Sequence, residues 1–148
     1  MPLSALSIAP DATLTDIALP QDYRAQLLLL RNLVGGTVDA AVFHRRAYLH
    51  VHGEGAILRA PMNVAAWALA SQWRGAEIPY GLYGTAVVTG PGDAGFQGLD
   101  AAMAAQVKAV CTGIHDLLVQ WQTQPPADEQ AARAHVLATA HYQLAAAH

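Results

Sequence analysis

The chain is poor in charge, lysine and cysteine, and it has no long apolar run. Charged residues make up 13% of its 148 residues, too few for a disordered chain kept soluble by its own charge, so it reads as globular. Lys108 is the sole lysine among eight basic residues, and the net charge is -3. Residues 1–75 carry six arginines against five acids, and residues 76–148 carry two basic residues against six acids. Neither half has the basic density that a phosphate backbone demands, so duplex nucleic acid is not an expected partner. Arg45-Arg46, the only adjacent basic pair, fits a solvated loop. Cys111 is the one cysteine. A lone thiol allows neither an intrachain disulfide nor a zinc ribbon, and its helical surroundings predict a buried structural role. No stretch reaches the roughly eighteen apolar residues of a membrane span, and the first residues lack the basic and apolar regions of a signal peptide. A cytoplasmic protein with no membrane partner is expected.

What is abundant is apolar sequence, 53% of the whole and rich in alanine, in a length that suits one core. Such a sparsely charged surface suggests cover by a second copy or a partner. "LSALSIAPDATLTDIAL" predicts two short strands about a Pro10-Asp11 turn, with Ile8, Leu14 and Ile17 as apolar contacts. "PQDYRAQLLLLRNLVGG" predicts a helix capped by Asp22, with Leu27, Leu30, Leu33 and Val34 on its inner face and a stop at Gly35-Gly36. A strand, a turn at His44-Arg45-Arg46 and a second strand follow. A third strand, "EGAILRAP", is reached through Gly53-Glu54-Gly55, and short connections predict an antiparallel meander of the three. A helix in "MNVAAWALASQWRG" and a strand in "LYGTAVVTGPG" lead to a long helix from Leu99. Leu99, Met103, Val107, Val110, Ile114, Leu117 and Trp121 form its apolar stripe, and Gly113 weakens it by about 1 kcal/mol relative to alanine. Pro125-Pro126 breaks the chain before a final alanine-rich helix. The expected class is α+β: a mostly antiparallel sheet packed with helices, plus a C-terminal pair of helices. Residues 1–98 form the α+β part and 99–148 a helical extension packed on it, within one structural domain.

Few residues look chemical. His50 and His52 are two apart on a strand, share a face and could chelate a transition metal, with His44 across the hairpin as a third ligand. The plainer expectation is two half-exposed strand histidines bonded to neighbours or solvent, with no cofactor. Around the next turn, glycines would supply positive φ, while Pro61 and Asn63 would shape a helix start. The same residues suggest an anion site at a helix N-terminus, built from Gly53, Glu54, Gly55 and Asn63 with Arg59 as counter-charge. "TGPGDAG" follows a strand but lacks the lysine and spacing of a phosphate loop, and reads as an ordinary loop. His115 and Asp116 are helix neighbours and cannot pair with each other. No nucleophile elbow or paired carboxylates occur, so catalysis is unsupported. The stripe from Met103 to Trp121 predicts core packing, or a seam for a homodimer or higher oligomer through the C-terminal helices.

Taken in order, "LVGGTVDA", "LHVHGEGAILRAPMN", "VAAWALA" and "LYGTAVVTG" resemble DUF3846, a family of small phage and mobile-element proteins of unknown function. That family typically has Leu-Val-Gly-Gly before a strand, an Asn-Glu-Glu-Gly-Lys turn, an apolar strand ending in Pro-x-Asn, and a Gly-x-Ala-(apolar)-Val-Gly strand. Gly53, Glu54 and Gly55 stand in the turn here, and Pro61 and Asn63 match its exit. His50 and His52 are not part of the pattern. The resemblance spans roughly Leu27 to Leu99. It implies a small α+β fold and a phage-like setting, and no established activity. The expected function is a non-enzymatic binding protein of the bacterial host cytoplasm. It would sequester a small nucleotide-like anion or block a host protein such as a defence component. The alternatives are a metal-dependent enzyme using the histidine strand and an oligomeric assembly protein.

Overall fold

The computed structural model describes residues 2–56 and 58–147. The Pro10-Asp11 turn closes β1 (Leu3–Ile8) onto β2 (Leu14–Leu19), with the Thr13 N–H donating to Asp11 Oδ1 at 3.0 Å. Helix α1 (Tyr23–Val34) starts where Asp22 accepts from the Ala25 N–H and stops at Gly35, whose φ of 88° a side chain would strain. The hairpin of β3 (Val38–His44) and β4 (Ala47–His52) follows, then α2 (Val64–Arg74), β5 (Ala86–Thr89), α3 (Ala101–Trp121) and α4 (Glu129–Ala146). The sheet order is β2-β1-β5-β4-β3, and every neighbouring pair is antiparallel. The α+β class and the C-terminal helical pair are as the sequence predicts.

The meander is not. The second neighbour of β4 is β5, which pairs Leu49 with Val88 and His50 with Val87. Ile57, in the middle of the predicted third strand, lies outside the described residues, and its flanking residues are turns. Local alternation could not reveal this, because the true partner of β4 is more than thirty residues away.

Both faces of the sheet are covered. On one side Leu6, Ile8, Leu49 and Val88 pack with α2, α3 and α4. On the other, Ala5, Leu19 and Val87 meet Leu30 and Val34 of α1. Full burial of a leucine or isoleucine such as Ile8 contributes roughly 1.5–3 kcal/mol. Leu14 packs toward the first side and Ile17 toward the second, as an odd spacing on a strand requires.

The inner face of α1 is rotated from the one expected. Leu27 is 38% and Leu28 58% exposed, whereas Gln26 is fully buried. Gln26 earns its place through three bonds: its Nε2 donates to Pro20 O at 2.8 Å and to Phe96 O at 2.9 Å, and its Oε1 accepts from the Phe96 N–H at 2.8 Å. A buried amide so satisfied carries little of the usual desolvation cost.

The α3 stripe faces inward: Met103, Val107, Val110 and Ile114 are fully buried in the main core. This is the core packing that the stripe predicts. Gly113 lies under α4, where an added Cβ would sit 2.7 Å from Gln143 Cγ. The small cost to the helix permits the close approach of α3 and α4. No helix among the described residues is long and apolar enough to cross a membrane.

Candidate functional site

The histidines come first. Strand β4 sets His50 opposite Ala40 and His52 opposite Val38, so both point to the α1 side. His50 is not half-exposed but 1% exposed. Thr89 Oγ1 donates to Gly90 O at 2.8 Å, so at 2.9 Å from His50 Nε2 it acts as the acceptor, and Nε2 carries the proton. The imidazole meets Phe96 edge-on with centroids 4.6 Å apart. Burial lowers its pKa to about 4, leaving it neutral near pH 7. His52 Nδ1 accepts from the Glu54 N–H at 2.9 Å, and its ring lies against Gly36. His44 is elsewhere. A register shift between Ala41 and His44 turns it to the opposite side of the sheet, where its ring lies 5.6 Å from that of Trp73. The three histidines do not converge, and among the described residues no three His, Cys, Asp or Glu side chains are grouped to hold a metal.

The turn residues are brought together, but not around an open site. The Gly53 N–H donates to Thr37 O at 2.8 Å, the Glu54 N–H to His52, and the Gly55 N–H to His52 O at 3.3 Å. The amides that would cradle an anion are thus engaged. Neither glycine has positive φ. Close approach matters instead at Gly55, where a Cβ would lie 3.0 Å from the backbone Tyr83 O; at Gly53 it would lie 2.9 Å from Asp39 Oδ2, a contact that a turn of that side chain relieves. Arg59 itself takes the left-handed conformation, at φ 58°, and is exposed. Asn63 is fully buried. Its Oδ1 caps α2 at the Ala66 N–H, and its Nδ2 donates to Ile8 O and Gly84 O at 2.8 and 2.9 Å. It is a structural joint between β1, α2 and the approach to β5. Of the other candidates, Cys111 is buried and its thiol pushed up to about 12, while His115 Nδ1 lies 3.0 Å from Asp11 O.

A different feature has the shape of a binding site. The segment Ile78–Gly84 is stitched to the start of α2: the Asn63 N–H donates to Leu82 O and the Gly84 N–H to Pro61 O, each at 2.7 Å. Trp67 forms the floor, its Nε1 donating to Ile78 O at 3.1 Å. Above this floor opens a cavity of about 300 Å³, walled by Tyr80, Tyr83, Trp121 and Val136. At the mouth, Arg133 lies 3.2 Å from Glu77 and 3.7 Å from Glu129. Of these three, Arg133 and Glu129 line the cavity, so its rim carries one charge of each sign, and Arg133 is paired on both sides. Of the sequence candidates only Asn63 adjoins this place, and its side chain points away into the joint.

The signal for this cavity was present in "EIPYGLYG". Its Ile78, Tyr80 and Leu82 alternate as on a strand, but Pro79, Gly81 and Gly84 punctuate them and Tyr83 breaks the alternation. Trp121, the last residue of the α3 stripe, arrives from the far end of the fold. Comparison with family models, with curated proteins and with solved structures yields no match, so the site is interpreted from its own chemistry.

Proposed function

We propose that the chain is a binding domain for a planar, neutral or cationic small molecule held in the aromatic cavity. The observation that carries this reading is the convergence of Trp67, Tyr80, Tyr83 and Trp121 on one cavity of about 300 Å³, whose one arginine, Arg133, is held by carboxylates. That volume and its mostly apolar lining fit the small end of ligand sites. Aromatic faces attract cations and stack on flat rings, and an arginine already paired with Glu77 and Glu129 offers a phosphate no free counter-charge. The sequestering role expected from the sequence is kept, while its anionic, nucleotide-like ligand is replaced.

Titration of intrinsic tryptophan fluorescence with quinoline, N-methylquinolinium and adenosine monophosphate tests it. The first two should give saturable changes and the nucleotide none. Tyr80→Ala should weaken the saturable binding roughly fivefold, the effect of losing about 1 kcal/mol of ring contact. Equal binding of the nucleotide, or no saturation by any of the three, would remove the reading.

A further inference from the structure

The rotation of α1 leaves a groove between that helix and the sheet. Leu27 and Leu28 line it with Val38 and Thr37, and Arg24 and Arg31 stand at its ends. The two arginines are seven residues apart, roughly 10 Å along the helix, and both flank the leucines at helical spacing. Among the described residues neither arginine joins an ion pair, and no acidic side chain lines the groove.

The wall opposite the helix is β3, an edge of the sheet. Gly53 donates to Thr37 O, which places Thr37, Asp39 and Ala41 in the positions bonded to β4. By the alternation of an antiparallel ladder, the peptide groups of Val38 and Ala40 are directed outward. Beyond Ala41 the register shift ends the regular edge, and Val42 stands 58% exposed. An apolar groove, an unpaired edge and two free guanidinium groups thus lie side by side.

We infer that this surface binds an extended, acidic segment of another protein, which adds to the sheet as a sixth strand beside β3. The segment's backbone pairs with Val38 and Ala40, its inward apolar side chains enter against Leu27 and Leu28, and its carboxylates reach Arg24 and Arg31. This is strand addition with charge setting the choice of partner. A second copy is a poor occupant, because β3 pairing with β3 would bring the arginines of two helices together.

A fluorescein-labelled peptide of alternating Glu and Val, with its Lys-Val counterpart as control, tests this by fluorescence anisotropy at low salt. The acidic peptide should saturate and the basic one should not. Methylating alternate backbone nitrogens of the acidic peptide should weaken binding at least tenfold, and so should Arg24→Glu with Arg31→Glu. Tyr80→Ala should change nothing, which separates this surface from the aromatic cavity. The inference is overturned by equal binding of both peptides, by no binding of the acidic one, or by indifference to methylation or to the charge reversals. It is also overturned if light scattering finds a dimer that Leu28→Asp dissolves, since the face then belongs to a second copy. The peptide comparisons use the unaltered protein, so they decide the matter even where a variant folds poorly.

Discussion

His50 uses its imidazole inside the protein, donating to Thr89 and lying edge-on to Phe96. Burial depresses its pKa from 6.5 to about 4. The unfolded chain therefore binds a proton at this residue between those values while the folded chain does not. Stability from this group is fully present above pH 6.5, and it is lost as pH falls toward 4, by about 3 kcal/mol in total. Urea unfolding midpoints at pH 7.5, 5.5 and 4.5 should fall for the wild type and fall distinctly less for His50→Gln. Identical pH dependence in the two proteins would mean that the residue is not the proton acceptor. The alternating histidines drew attention to this strand in the sequence. Their separation into one buried, one capping a turn and one on the far side could not be read there. It depends on β5 covering β4 and on the shift between Ala41 and His44, both of which are tertiary facts.

Helix α2 shows what a single cap can join. Asn63 holds its own helix and two carbonyls from elsewhere. Asn63→Ala would leave Ile8 O and Gly84 O without that donor in a buried setting, and should cost about 3 kcal/mol, measured by urea denaturation. A loss under about 1 kcal/mol would show that the joint is not structural. The ends of elements were legible: Asp22 and Gly35 bound α1 as expected, and Gly75 ends α2. Interiors were less so. Strand β1 lies where it was expected, but from Ala5 to Ile8 it is covered on both faces, and its second pairing, with β5, left no local mark. The stretch after Gly53 is apolar enough for a strand, yet the ladder position beside β4 is taken by β5. The aromatic cavity assembles α2, Ile78–Gly84 and the junction of the last two helices, a convergence no local pattern encodes.

At the scale of the whole molecule, the residues before and after Leu99 share one core, since Leu6, Leu49, Trp67, Met103, Ile114 and Val136 belong to a single cluster. The helical part is thus no appendage. Unfolding should be one transition, with coincident curves from far-ultraviolet circular dichroism and tryptophan fluorescence, and residues 1–98 alone should lack a dispersed amide spectrum. Separate transitions would mean that the two parts fold independently. The tie between α1 and the rest has another character. The carboxamide of Gln26 meets the N–H and C=O of Phe96 as a neighbouring peptide group would, so a helix completes one rung of a ladder with a crossing loop. That rung sets the rotational phase of α1 together with Leu30 and Val34 on the same face. Turned by one residue, the helix would hide Leu27 and lose the rung, so a buried amide shares in deciding which side chains of α1 the protein shows to other molecules.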